Sequence, residues 1–217
     1  MPTFDDLQTR YQDLIRKGLQ GSVFVKRYVE GDAEITALTD ATGLLAIPTG
    51  YTDVGFLTKD QGVEWTRDVS TSDVESHGSA EPTRRDVTGD VSGLQFTMQE
   101  SGRQAFELYE GQDLGGVTYD ANGNVSWDKP DRPASIYYRV FVLFKDGDGV
   151  DAKYFAKWLP RAQVTDRGSQ SWNENDELQY AVTLTAFNDP EVGTSQRTLW
   201  SAPATTLGRM GFTAATP

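Results

Sequence analysis

The chain has no cysteine among its 217 residues and a single histidine, His77. The first absence excludes disulfides, thiolate nucleophiles and cysteine-ligated metals. The second leaves no histidine pair for a metal site or a nucleophile–base dyad. Cations are also scarce: 20 Lys and Arg stand against 32 Asp and Glu, a formal net charge of −12. Such a chain is ill suited to sequestering nucleic acid, which is bound by displacing phosphate counterions with Lys and Arg. The same acidity does not argue against a surface that DNA must pass without sticking. No apolar run approaches the roughly 20 residues of a helical membrane span, so membrane insertion is not expected. The start, MPTFDDLQTRYQDLIRKG, shows neither the basic nor the apolar region of a secretion signal. Folding in a cytoplasm is therefore the expectation.

Catalytic signatures are missing too. There is no phosphate loop, no Gly-x-Ser-x-Gly elbow and no dinucleotide fingerprint. The segment Asp146–Asp151 invites a calcium reading, but Val150 stands where an oxygen ligand belongs and the sixth position is not glycine. A tight turn explains it better. Carboxylate pairs such as Glu107 and Glu110 carry little specificity in so acidic a chain. No enzyme activity, cofactor or metal is expected.

Aromatic and turn residues are what the chain does have. With 37% hydrophobic residues, five Trp, nine Tyr and ten Phe, it can bury the core of one domain. The stretch Asp86–Gly111 reads first as a strand, with a bulge at Gly93. A short helix follows, capped by Ser101 with Gln104 and ended by Gly111. Strands are also predicted at Ser22–Val29, Glu34–Leu38, Val63–Val69, Ser135–Lys145, Ala152–Trp158, Gln163–Asp166 and Leu178–Phe187. Residues 3–17 fit an amphipathic helix, with Thr3 and Asp6 at its cap. It either packs on its own domain or forms an arm that docks on a neighbouring subunit. The polar stretch Ser70–Pro82 predicts a long projecting hairpin or loop. The expected fold is mainly β, a sandwich or half-barrel with a flanking helix, the long loop and the extra N-terminal helix. Its layout is an arm over residues 1–34, a β-domain over 35–190 with the loop at 70–85, and a loosely ordered extension over 191–217.

Several strands alternate between an apolar face and one of small, polar or acidic groups. In Val63–Ser70 the even positions are Glu64, Thr66, Asp68 and Ser70; in Asp86–Ser92 they are Asp86, Thr88, Asp90 and Ser92. A solvent-facing side of a sandwich and the wall of a water-filled lumen both fit this pattern. A mainly β chain must also close, cap or pair its sheet edges.

An ordered set of short motifs then carries a likeness. Leu38–Asp40 followed by Gly50-Tyr51-Thr52-Asp53-Val54-Gly55-Phe56-Leu57 comes first, then Gly62–Val69, the loop Ser70–Pro82 and the basic pair Arg84–Arg85. Phe96-Thr97-Met98-Gln99-Glu100-Ser101 and Phe106-Glu107-Leu108-Tyr109-Glu110-Gly111 follow, and then Leu159–Val164 and Tyr180–Phe187. In this order, from about Thr39 to Asp189, the chain resembles the tail-tube (major tail) proteins of tailed bacteriophages, in particular siphophages of actinobacterial hosts. The N-terminal helix departs from that pattern.

The resemblance implies a virion protein, assembled in the host cytoplasm, that forms rings, hexameric by analogy, stacked into a tube. Its implied partners are further copies of itself, a tape-measure protein, a tail terminator and distal tail or baseplate proteins, with DNA passing through the lumen unbound. Glu64, Asp68, Asp86 and Asp90 are the candidates for the lumen wall. Ser72, Asp73, Val74, Glu75, Ser76, His77, Gly78, Ser79 and Ala80 are the candidates for reaching the adjacent ring. The competing reading is a carbohydrate- or receptor-binding β-domain of a tail tip or decoration protein, presenting Trp127, Trp158, Trp172 and Trp200.

Overall fold

The computed structural model describes residues 3–4, 7–47, 49–132 and 134–215. Its strands are β1 (Gln20–Arg27), β2 (Thr52–Asp53), β3 (Val63–Val74), β4 (Arg84–Met98), β5 (Tyr137–Asp146), β6 (Lys153–Arg167), β7 (Tyr180–Ala186) and β8 (Arg197–Ser201). Two helices accompany them, α1 (Arg103–Glu110) and α2 (Ala204–Arg209). All eight strands belong to one antiparallel sheet in the order β2-β1-β5-β6-β7-β4-β3, with β8 paired to β6. The fold is thus mainly β as expected, built as a single sheet rather than two stacked ones.

The centre of the sheet is the β5–β6 hairpin. The β5 sequence YYRVFVLFKD is dense in aromatic and branched residues, which pack well on a pleated surface. Strand β6 continues through both Ala152–Trp158 and Gln163–Asp166, expected as separate strands, and runs 15 residues. Strand β5 follows it along Lys153–Gln163 on one edge; β8, along Tyr154–Trp158, and β7, along Ala162–Arg167, share the other.

The sheet curls strongly. Lys157 Nζ on β6 lies 4.4 Å from the centre of the Trp65 ring on β3, although two strands intervene in the hydrogen-bonded order. The concave side encloses the main core, where Val23 and Val25 of β1 cluster with Leu94 and Phe96 of β4, Val140 of β5 and Leu184 of β7. Helix α1 closes one end by burying Ala105 and Leu108. Gly111 ends that helix in the left-handed region, φ 70°, and donates its N–H to the Glu107 carbonyl. The helix start differs from the expected capping box: Gly102 is the cap residue, and Ser101 Oγ instead meets Tyr180 Oη at 2.9 Å.

A second core lies on the convex side, over β1, β5 and the first half of β6. Phe141, Leu143, Ala156 and Trp158 are covered there by Ile35 and Leu38. Glu34–Leu38, expected as a strand, is instead an irregular segment laid across these side chains. Arg139, on β5 inside the run SIYYRVF, is fully buried on this side against the equally buried Asp189, Nη2 to Oδ2 3.6 Å. The Arg139 Nη1 donates to the carbonyls of Asp32 and Ala33 at 2.9 and 3.1 Å. The extension after residue 190 is accordingly better ordered than its composition suggests, contributing β8 and α2.

In place of the helix expected over residues 3–17, the described residues show a 3-10 turn at Gln12–Leu14 and, before it, a Leu7 N–H donated to the Phe4 carbonyl at 3.2 Å. Phe4, Leu7, Tyr11 and Ile15 are exposed. A short helix without tertiary packing is marginal in water. Asp6 of the expected cap lies outside the described residues.

Candidate functional site

Two features of the sheet are left without a covering layer: the convex face of β3, β4, β7 and the far half of β6, and the β3–β4 hairpin beyond it. Directly paired residues of an antiparallel ladder point to the same face. The register therefore assembles the uncovered face in rows. One row runs Glu64, Gln95, Thr183, Asp166 across β3, β4, β7 and β6; the next runs Thr66, Gly93, Thr185, Gln163. The Thr165 and Thr185 hydroxyls are joined at 2.9 Å on the same face. Opposite each row stand core residues such as Leu94, Phe96, Val182 and Leu184. The face is polar because nothing dry covers it, and its small hydroxyls leave it smooth.

Gly93 sits in regular register and is not a bulge. A Cβ there would stand 2.4 Å from Thr66 Oγ1, so any larger residue forces that hydroxyl to move. The irregularity lies further out. Ser70 pairs with Gly89 but Thr71 pairs with Val87, so Thr88 is the extra residue. This bulge separates two of the expected lumen residues. Asp86 pairs with Ser72 and stays on the polar face with Glu64 and Asp68. Asp90 pairs with Val69 and stands on the opposite face, the one continuous with Trp65 and Leu94. Strict alternation over Asp86–Ser92 put Asp86 and Asp90 on one face; one extra residue puts them on two.

Beyond Gly93, β4 has no strand partner among the described residues except β3. The two strands continue alone for about eight residues each, roughly 25 Å at 3.3 Å per residue. Ser72, Asp73 and Val74 are thus strand residues, and only Glu75–Ala80 of the expected loop residues lie in the tip. The tip is held by the Thr83 N–H on the Val74 carbonyl at 2.9 Å and by the Ser76 and Thr83 hydroxyls at 2.8 Å. Arg67 grips Asp90 with two hydrogen bonds of 2.7 and 2.6 Å, and Arg85 grips Asp73 in the same way at 2.7 and 2.8 Å. These arginines hold the Asp90 and Asp73 carboxyls below the usual carboxylate range. On the polar side, Arg84 meets Asp86 at 2.9 Å.

The four tryptophans proposed as a glycan platform do not form one. Trp158 is fully buried and donates its indole N–H to Tyr51 Oη at 2.9 Å. Trp127 lies against Phe106, Trp200 stacks on Phe155, and Trp172 stands out on the separate loop between β6 and β7. Among the described residues, no cluster of three His, Asp or Glu could hold a metal ion.

A sheet with a bare polar face and a hairpin projecting beyond its last partner is the form of a subunit completed by other subunits. The sequence profile of the phage tail tube protein family matches residues 11–202, and the chain belongs to that family. It is a structural component of the phage tail, not an enzyme. No curated protein matches it. Similar solved structures include a chain of the anti-feeding prophage baseplate, at 12% identity over 83% of this chain and 92% of that one, TM-score 0.43. A chain of the cap of the anti-feeding prophage is 10% identical over 91% and 98%, TM-score 0.41. Hcp1 from Salmonella typhimurium is 12% identical over 84% and 94%, TM-score 0.30. Likenesses this distant add nothing to the family assignment.

Proposed function

We propose that copies of this chain close into rings, six to a ring, that stack into a tube whose lumen is lined by the bare face of β3, β4, β7 and β6. The observation carrying this reading is that face itself: a broad polar surface directly backed by core. Its acids, Glu64, Asp68 and Asp86 on the hairpin side and Asp166 on β6, are same-signed with DNA. A duplex carries about one negative charge per 1.7 Å of axis, so such a wall repels it and lets it slide during ejection. Asp90 is not part of this wall. The hairpin tip, Glu75–Ala80, reaches the adjacent ring. The partners are further copies of the chain, a tape-measure protein, a tail terminator and distal tail or baseplate proteins. The motif order supports a siphophage of an actinobacterial host as the parent particle.

Electron microscopy and native mass spectrometry of the purified protein test this. Hexamers or hollow tubes are expected; a chain that stays monomeric at high concentration, with its tail-initiation partners present, refutes it. Particles carrying Glu64→Lys and Asp68→Lys should keep their tubes and eject DNA more slowly. Unchanged ejection removes the face from the lumen.

A further inference from the structure

We propose that the face of the β3–β4 hairpin bearing Arg67, Val69, Asp73, Arg85, Val87 and Asp90 docks on a second copy of this chain, with its two arginine–aspartate pairs carried into the interface already formed. The inference rests on the tube reading and adds which side of the hairpin meets protein.

Four observations lead to the second copy. First, a two-stranded ribbon with no third strand or covering layer is marginal in water, yet β3 and β4 hold register to Val74 and Arg84. Something in the working protein must cover it. Second, the face in question is the outward continuation of the core face: Trp65 and Leu94 form one of its pairs, and Val69 and Val87 lie further along it. These two valines are exposed in the isolated chain, as are Val74 and Val91 on the other face, so continuity with the core rather than the valines themselves sets this face apart.

Third, the charges divide by face. On this side two arginines and two aspartates cancel, each arginine gripping its own aspartate with two hydrogen bonds. On the other side Glu64, Asp68 and Asp86 stand against Arg84 alone, a net −2. A face whose charges are already neutralised loses little on leaving water, whereas an unpaired buried charge is costly. Fourth, a self-neutral, part-apolar surface carries no signal for an anionic or cationic ligand, and membership of a tube family supplies identical copies as neighbours. The bulge at Thr88 is what turns Asp90 to this side, where Arg67 can reach it.

The test is polymerisation of the full-length protein, read as the critical concentration for tubes by sedimentation and microscopy. Val69→Asp with Val87→Asp should abolish tubes. Arg67→Asp or Asp90→Arg alone, each leaving like charges side by side in the interface, should raise the critical concentration about tenfold or more. The swap carrying both should return it to within about threefold of wild type, while Asp68→Lys on the opposite face should leave it unchanged. Circular dichroism and urea midpoints of the unassembled variants should match wild type, because exposed ion pairs contribute little to a free subunit. In the wild type, amide exchange over residues 67–74 and 84–92 should slow strongly on assembly. Unimpaired tubes from the valine variant, no rescue by the swap, equal damage from Asp68→Lys, or a hairpin still exchanging freely in tubes would each overturn the inference. A wild-type chain that never polymerises instead refutes the tube reading on which it stands.

Discussion

Replacing Arg139 with methionine should destabilise the subunit far more than any surface change, and the reason lies in what it leaves behind. Arg139 and Asp189 are both fully buried and face each other at 3.6 Å, longer than a hydrogen bond. Neither Asp189 Oδ2 nor Arg139 Nε and Nη2 has a hydrogen-bond partner among the described residues, so charge alone compensates these atoms. The remaining contacts of Arg139 are the half-buried Glu191, whose Oε2 lies 3.8 Å from the same Nη2, two carbonyls, of Asp32 and Ala33, and the rings of Tyr28 and Trp158 at 5.4 and 5.8 Å. Methionine fills much of the same volume but leaves Asp189 buried and uncompensated. Breaking a buried pair from one side costs about 3–5 kcal/mol, against a total stability of about 5–15 kcal/mol for a domain. With a urea dependence of about 2 kcal/mol per molar, the unfolding midpoint should fall by roughly 2 M. Asp189→Asn keeps the Oδ1 acceptor of the Glu191 N–H while removing the negative charge. The double variant should therefore cost at least about 2 kcal/mol less than the two single costs summed. Urea unfolding of the unassembled subunit, followed by tryptophan fluorescence and circular dichroism, measures all four species. Costs that add to within about 0.5 kcal/mol, or a methionine variant within about 1 kcal/mol of wild type, would refute the claim that the two buried charges compensate each other.

Gly93→Ala should destabilise by about 1–3 kcal/mol, the range for overfilling a packed site, because its Cβ meets Thr66 Oγ1 at 2.4 Å. Adding Thr66→Ala should recover most of the loss in the same urea assay, and no recovery would mean the strain lies elsewhere. Burial, and after it the nearby Glu107, pushes the Tyr138 phenol up to about 12 from an ordinary value of about 10. The folded state thus favours the neutral phenol. Its contribution is whole below pH 10 and is lost as pH rises from about 10 to 12, by at most about 2.7 kcal/mol at 1.36 kcal/mol per unit. Urea midpoints across that range should decline less steeply in Tyr138→Phe, and an identical decline would rule out this phenol as a source.

Much of the fold was legible because local chemistry and tertiary context agree. The run Ser135–Lys145 is strand-forming whatever covers it, and the helix before Gly111 ends where only glycine is comfortable. The missed elements are those whose structure depends on what lies opposite. Glu34–Leu38 reads as a strand but finds no edge to pair with, so Ile35 and Leu38 serve as a lid over Trp158. Residues 3–17 have a helix's periodicity, yet Phe4, Leu7, Tyr11 and Ile15 of that pattern stay exposed. Arg139 gave no sign of burial in a run otherwise apolar and aromatic, because its partner Asp189 is 50 residues away in a stretch that reads as loop.

The sequence by itself determined the class of the protein. Alternation and turn residues mark it as mainly β, and the ordered motifs point to its family. Only the tertiary structure decided which face each residue occupies. Side chains alternate with period two, so the single extra residue at Thr88 reverses every assignment beyond it. It leaves Asp86 with Glu64 and Asp68 and delivers Asp90 to Arg67. Composition and pattern are blind to such a bulge, because the ladder of hydrogen bonds between β3 and β4, not the alternation within either strand, determines where it falls.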